Sequence, residues 1–200
     1  GPSLPIILGL NQKPDMTEKN RLIPLDRYGM KVMSFGFISG NETPVIWRGP
    51  LVSRMTEQFF KDVDWGNLDY LILDLPPGTG DIQLTLTQKL RISGAIIVTT
   101  PQDIALSDVR KGADMFGKVK TPILGVIENM SGYVLEGKIK NSNGVMLNGG
   151  EISMDDGTNI EINKTGDFQI KIDLFKKGGG KSESKRLNIP LLGKIPISND

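Results

Sequence analysis

The 200 residues contain no cysteine and no histidine. Without thiols the chain can supply no disulfide, no thiolate metal site and no cysteine nucleophile, and without imidazole it has no histidine ligand or general base. Any metal must be a hard ion held by oxygen, and any proton transfer must run through carboxylates, lysines or water. An excess of charge of either sign is also lacking: 24 Lys and Arg against 23 Asp and Glu leave a formal net charge of +1. Binding to nucleic acid or to a membrane surface through bulk electrostatics is therefore not expected. No window approaches the roughly 20 apolar residues of a membrane span, and the opening GPSLPIILGL has neither the basic flank nor the apolar length of a secretory signal. The expectation is a soluble cytoplasmic protein. N-x-S/T matches at Asn41, Asn129 and Asn163 are read as chance.

What is present suffices for one domain with a core, or for one domain and a small appendage, since 38% of the residues are hydrophobic. Short apolar runs ending in Gly, Pro or acidic residues predict buried parallel strands at Met30 to Phe37, Tyr70 to Leu75, Ala95 to Thr100, Ile123 to Ile127 and Leu191 to Ile195. Between them lie helical patterns. Pro50 suits a first helical position, with Leu51, Val52, Met55, Phe59, Phe60 and Val63 following at helical spacing. Asp81 is placed to cap a helix burying Ile82, Leu86 and Leu90, and Ala105, Val109, Ala113 and Phe116 form a stripe on the next. This alternation predicts an α/β fold, a mostly parallel sheet flanked by helices.

Residues 138–174 break the rhythm. Turn signals NSNG, NGG, DDGT and KTGD separate short stretches in which apolar and polar residues alternate. They predict a small β-meander inserted into an α/β domain made of 1–137 and 175–200. A short helix from Ser182 to Leu187 then leads into the last strand, and the basic cluster Lys176, Lys177, Lys181, Lys185 and Arg186 reads as a solvated face.

Two stretches carry candidate chemistry. LDYLILDLPPGTGD, Leu68 to Asp81, puts Asp74 at the carboxyl end of an apolar run, followed by a Pro-Gly turn and a helix. A carboxylate there can hold a water of a Mg²⁺ shell beside a nucleotide, and Gly78 and Gly80 allow backbone N–H groups close to a phosphate. An aspartate that only caps the turn is an equal reading of the same spacing. The second stretch, FKKGGGKSES at 175–184, has the GKS ending of a phosphate loop but Phe175 where its first glycine belongs.

The run from Val45 to Asp81 resembles the Mrp/ApbC branch of the MinD/ParA-type P-loop ATPases, the scaffold and carrier proteins of iron–sulfur cluster assembly. Further matching motifs are VTTPQDIALSDVRKG at 98–112, ILGVIENMSGY at 123–133 and FKKGGGKSESKRLNIPLLGKIPIS at 175–198. The resemblance covers nearly everything outside the meander. It implies that Asp74 is the Walker B carboxylate near Mg²⁺, that Gly78 is the switch residue sensing the γ-phosphate, and that Asn129 meets the adenine edge. Pro101, Pro196 and Ile197 would pack around the base. A strand-end cap is the structural alternative for Asn129. Implied with these are ATP and Mg²⁺ as cofactors, a homodimer or partner protein, and apo iron–sulfur proteins as clients, with neither nucleic acid nor membrane as partner.

Two departures from the family pattern limit the implied function. The family carries its Walker A loop and first strand upstream of the GPS segment, and this chain starts at Gly1; a fragment, an incomplete reading frame or a chain completed by a partner is the expectation, one that alone does not hydrolyse ATP. Cluster-carrying members also place a C-x-x-C pair shortly after the NMS motif, where this chain reads YVLEGKIKNSNG. An iron–sulfur cluster is therefore not expected on this chain, and the meander at that place is a candidate contact with a subunit or partner. By the same resemblance FKKGGGKSES is a glycine-rich turn before the final helix, with Lys181 and Ser182 at a solvated helix start. The alternatives are a non-catalytic binding or scaffold module derived from the fold, and a ParA/MinD-like chromosome-partitioning ATPase. Near-neutral charge and the absence of a terminal amphipathic helix weigh against the latter.

Overall fold

The computed structural model describes residues 3–39, 57–75, 81–155, 157–175 and 178–198. The chain divides into two compact units, Gly1–Arg91 and Ile92–Asp200. No helix among the described residues is long and apolar enough to cross a membrane.

In the first unit Pro5 lies in the first turn of α1 (Leu4–Leu8), where its missing N–H costs nothing, and Gly9 ends the helix at φ 62°. Strands β1 (Leu25–Arg27) and β2 (Met30–Val32) pair antiparallel. Tyr28 and Gly29, at φ 53° and 73°, form the two-residue turn whose twist suits a hairpin. The expected strand over Met30 to Phe37 is thus cut short. Ser34 Oγ accepts the Gly36 N–H at 3.2 Å, satisfying a donor of the first turn of α2 (Phe35–Ser39), so the second half of that apolar run is helical. Leu10, Leu25, Val32 and Phe37 make the buried cluster between these pieces.

Residues 57–61 are helical, in line with the spacing of Phe59 and Phe60; the start of that pattern, Pro50 to Met55, lies outside the described residues. Tyr70 to Leu75 corrects the reading of a buried strand. The segment forms no ladder with the described residues, and Tyr70 and Ile72 are 87% and 89% exposed. Apolar composition favours a strand only where a neighbour meets its N–H and C=O groups. The helix opening at Asp81 is α3 (Asp81–Lys89), with Leu86 buried.

The second unit holds the sheet. Strand β3 (Ala95–Thr99), helix α4 (Asp103–Lys118) and strand β4 (Ile123–Lys138) form a parallel crossover, since Ala95 to Thr99 run beside Ile123 to Glu128. On its other edge β4 pairs in parallel with β8 (Leu191–Ile197), which follows helix α5 (Gly179–Leu187). The expected strand at Ile123 to Ile127 continues for 16 residues in all. Met130 at φ 54° and Gly132 at φ 123° shift the register, and beyond them Tyr133 to Lys138 pair antiparallel with β7 (Asp167–Ile172). Strands β5 (Gly150–Ser153) and β6 (Asn159–Ile162) pair with each other.

The amphipathic pattern of α4 decides the core. Val109 and Ala113 pack with Ile97 of β3 and Val126 of β4, joined by Leu187, Ile189 and Leu191 from α5 and the start of β8. Val126 is wholly buried. On β3 the residues alternate, with Ala95, Ile97 and Thr99 inward while Ile96 and Val98 are exposed.

Candidate functional site

The parallel register brings the carboxyl ends of β3, β4 and β8 side by side. Thr99 lies opposite Glu128, Glu128 opposite Lys194, and Asn129 opposite Ile195. Pro101, just beyond β3, is buried. Asn129 is half-buried on β4, and Pro196 and Ile197 end β8 beside it. Four residues expected around a base therefore share one edge of one sheet, the edge at which α/β sheets accept ligands. A side-chain amide there offers an acceptor and two donors, and Pro196 and Ile197 offer apolar surface, which together suit a flat heterocycle with a polar edge.

Asp74 belongs to the first unit, exposed on the stretch that forms no ladder with the described residues. Gly78 lies outside the described residues.

The glycine-rich run at 178–180 has a clear local function. Gly178 at φ 79° precedes α5, and the Gly180 N–H donates to Glu128 Oε2 at 2.6 Å. A phosphate loop must leave such N–H groups for its anion, and here a buried carboxylate of the same chain takes the position. Lys181 and Ser182 point to solvent, as expected of a solvated helix start. Glycine is required at 179 and 180 by proximity. A Cβ on Gly179 would lie 2.9 Å from the Pro101 carbonyl oxygen, and one on Gly180 would lie 2.8 Å from Glu128 Cβ.

Glu128 is the residue that sequence reasoning missed. It is 1% exposed, and its second oxygen Oε1 accepts from Lys194 Nζ at 2.9 Å. The available signal was an acid inside the apolar run GVIENM: in a buried strand such a group must find partners.

A second buried carboxylate ties α5 to α4. Glu183 Oε1 accepts from Arg110 Nη2 at 2.9 Å and Oε2 from Arg186 Nε at 2.5 Å. Burial pushes the Glu183 pKa up, but the hydrogen bonds and charges of Arg186 and Arg110 together outweigh it and hold the group below the usual glutamate range. Arg186 is exposed, in line with the solvated face read from sequence, and its side chain pairs from there with the buried Glu183; Lys181 and Lys185 are also exposed, and Lys176 and Lys177 lie outside the described residues. Next to the site, the buried Ser131 hydroxyl has no hydrogen-bond partner among the described residues.

Residues 1–165 match the family described as ParA: NUBPL iron-transfer P-loop NTPase. An iron–sulfur cluster transfer protein NUBPL of Dictyostelium discoideum is 43% identical over 199 residues, covering 98% of this chain and 52% of that protein. An iron–sulfur cluster carrier protein of Synechocystis is 40% identical over 201 residues, covering 98% of this chain and 49% of the relative. The chain spans about half the length of these curated relatives. Among solved structures, a nucleotide-binding protein from Archaeoglobus fulgidus in complex with ADP superposes with a TM-score of 0.65 at 30% identity, over 98% of this chain and 65% of that one.

Proposed function

The chain belongs to the ParA-type NUBPL iron-transfer P-loop NTPase family, and on that premise we propose that it forms the adenine-binding side of an ATP-dependent protein that assembles or transfers iron–sulfur clusters. The observation that carries this reading is the convergence of Pro101, Asn129, Pro196 and Ile197 at the carboxyl ends of three adjacent parallel strands. Asn129 would read the base edge, and the other three would enclose its faces. Asp74 would hold the water shell of Mg²⁺, which when bound offsets phosphate charge, and Gly78 would offer its N–H to the γ-phosphate. ATP hydrolysis belongs, in this reading, to the whole protein in dimeric form. The chain alone would not hydrolyse ATP, because the loop in it that most resembles a phosphate loop has its Gly180 N–H engaged by Glu128.

The cluster is cargo in this proposal, and these 200 residues offer it no thiolate. Thiolate ligands would come from elsewhere, and the inserted segment 138–174, with its exposed Val145 and Met154, would contact the subunit or partner that brings them. The names of the relatives favour cluster transfer over chromosome partitioning or a scaffold without nucleotide.

Titration of the chain with a fluorescent ATP analogue and Mg²⁺, beside Asn129→Ala, tests the base site. The expected result is about tenfold weaker binding in the variant, the value of one or two lost hydrogen bonds, with binding of ribose 5-triphosphate unchanged. Equal ATP affinity in parent and variant would remove Asn129 from the site.

A further inference from the structure

The base-site residues leave one conspicuous group unused, the buried Glu128 carboxylate on β4, which binds both β8 and the start of α5. We propose that Glu128 is a positioning residue that sets the mutual placement of Asn129, Pro101 and Ile195–Ile197; the part of this inference that concerns the base rests on the reading given above. A carboxylate out of water persists only where its lone pairs are met. Here each oxygen is met by a different element. Oε2 accepts from the Gly180 N–H at the start of α5, and Oε1 accepts from Lys194 on β8.

Glu128 and its two partners each adjoin a residue at the strand ends or one in contact with them. Glu128 precedes Asn129 and Lys194 precedes Ile195, while Gly179, next to Gly180, packs against Pro101 at the distance of backbone contact. The parallel ladder alone leaves room for error at this point, because the β4–β8 register shifts between Asn129 and Tyr133 and again between Val126 and Ile127. Between two register shifts, a charged pair and a charge-assisted hydrogen bond of fixed length define the spacing that the ladder does not.

The test compares Glu128→Gln, Glu128→Ala and Lys194→Met in the 200-residue chain, by residue-resolved amide exchange and by competition of ATP and GTP against the fluorescent analogue. Glutamine keeps an acceptor for Gly180 but turns no negative charge to Lys194. It should preserve protection at Gly180 and lose it across Ile195–Ile197, and Lys194→Met should do the same. Alanine should lose both, by about five- to thirtyfold, the effect expected of one or two such contacts. The ATP over GTP preference should fall in the same range in the alanine variant and be rescued in part by glutamine, a graded response that a purely structural role would not produce. Unchanged exchange across Ile195–Ile197 in Lys194→Met, or in a folded Glu128→Ala, would overturn the proposal. Should exchange rise as expected while the parent shows no ATP over GTP preference, the base-site reading fails and the positioning link through Glu128 stands. Loss of fold in Glu128→Ala leaves Lys194→Met to decide.

Discussion

At Gly180 the absence of one methyl group sets how closely α5 approaches the sheet. An added Cβ would sit 2.8 Å from Glu128 Cβ and 3.0 Å from its Oε2, and neither atom can retreat without breaking the bond to the Gly180 N–H. Gly180→Ala should therefore destabilise the chain by about 1–3 kcal/mol, the usual range for overpacking, read as a lower urea midpoint. Ser131 presents the opposite case. Its hydroxyl is buried without a partner among the described residues, so Ser131→Ala removes an unmet polar group. The expected outcome is a neutral to positive change of up to about 1 kcal/mol in the same urea experiment, and a clear loss would show that the hydroxyl is hydrogen-bonded in solution. Both residues lie within a few positions of Asn129 or its supports.

Helices α4 and α5 both pack on strand β4. One strand serves as the parallel centre of β3 and β8 and then as the antiparallel partner of β7, with Met130 and Gly132 at positive φ between the two tasks. Helices α4 and α5 are joined by Glu183, whose pKa in the folded chain lies below its unfolded value of about 4.3. A depressed carboxylate pKa means that the unfolded state binds protons more readily. The stability from this group is therefore fully present above about pH 4.3 and is lost as pH falls through the folded-state pKa. Glu183→Gln should flatten the acid limb of a stability-against-pH curve below about pH 4.3, measured by urea unfolding, and leave its slope at neutral pH unchanged. An acid limb identical to that of the parent would place the relevant titration elsewhere.

For the molecule as a whole, composition predicts one further outcome. With no histidine and no cysteine, no side chain has an ordinary pKa between about 5 and 8, so stability should be nearly constant across that interval; a sigmoidal step within it, followed by urea unfolding, would reveal a strongly shifted carboxylate or lysine. The stripe on Asp103–Lys118 and the runs at Ala95–Thr99 and Leu191–Ile197 were legible because periodicity and length are local properties. Tyr70 to Leu75 and Met30 to Phe37 misled for the same reason: a strand exists through its neighbour, and a cap such as Ser34 can turn half of an apolar run into a helix. The glycine-rich run before α5 could be assigned a turn but not its partner, which lies 52 residues earlier at Glu128. By itself the sequence excluded thiolate and imidazole chemistry, set the α/β rhythm and carried the family's motifs, since these depend only on residue type and order. The tertiary structure alone decided that a carboxylate occupies the start of α5, that Arg186 pairs with the buried Glu183, and that Pro101, Asn129, Pro196 and Ile197 share one edge. Those outcomes follow from which strands lie side by side, and strand order brings together residues whose separation along the chain carries no trace of the contact.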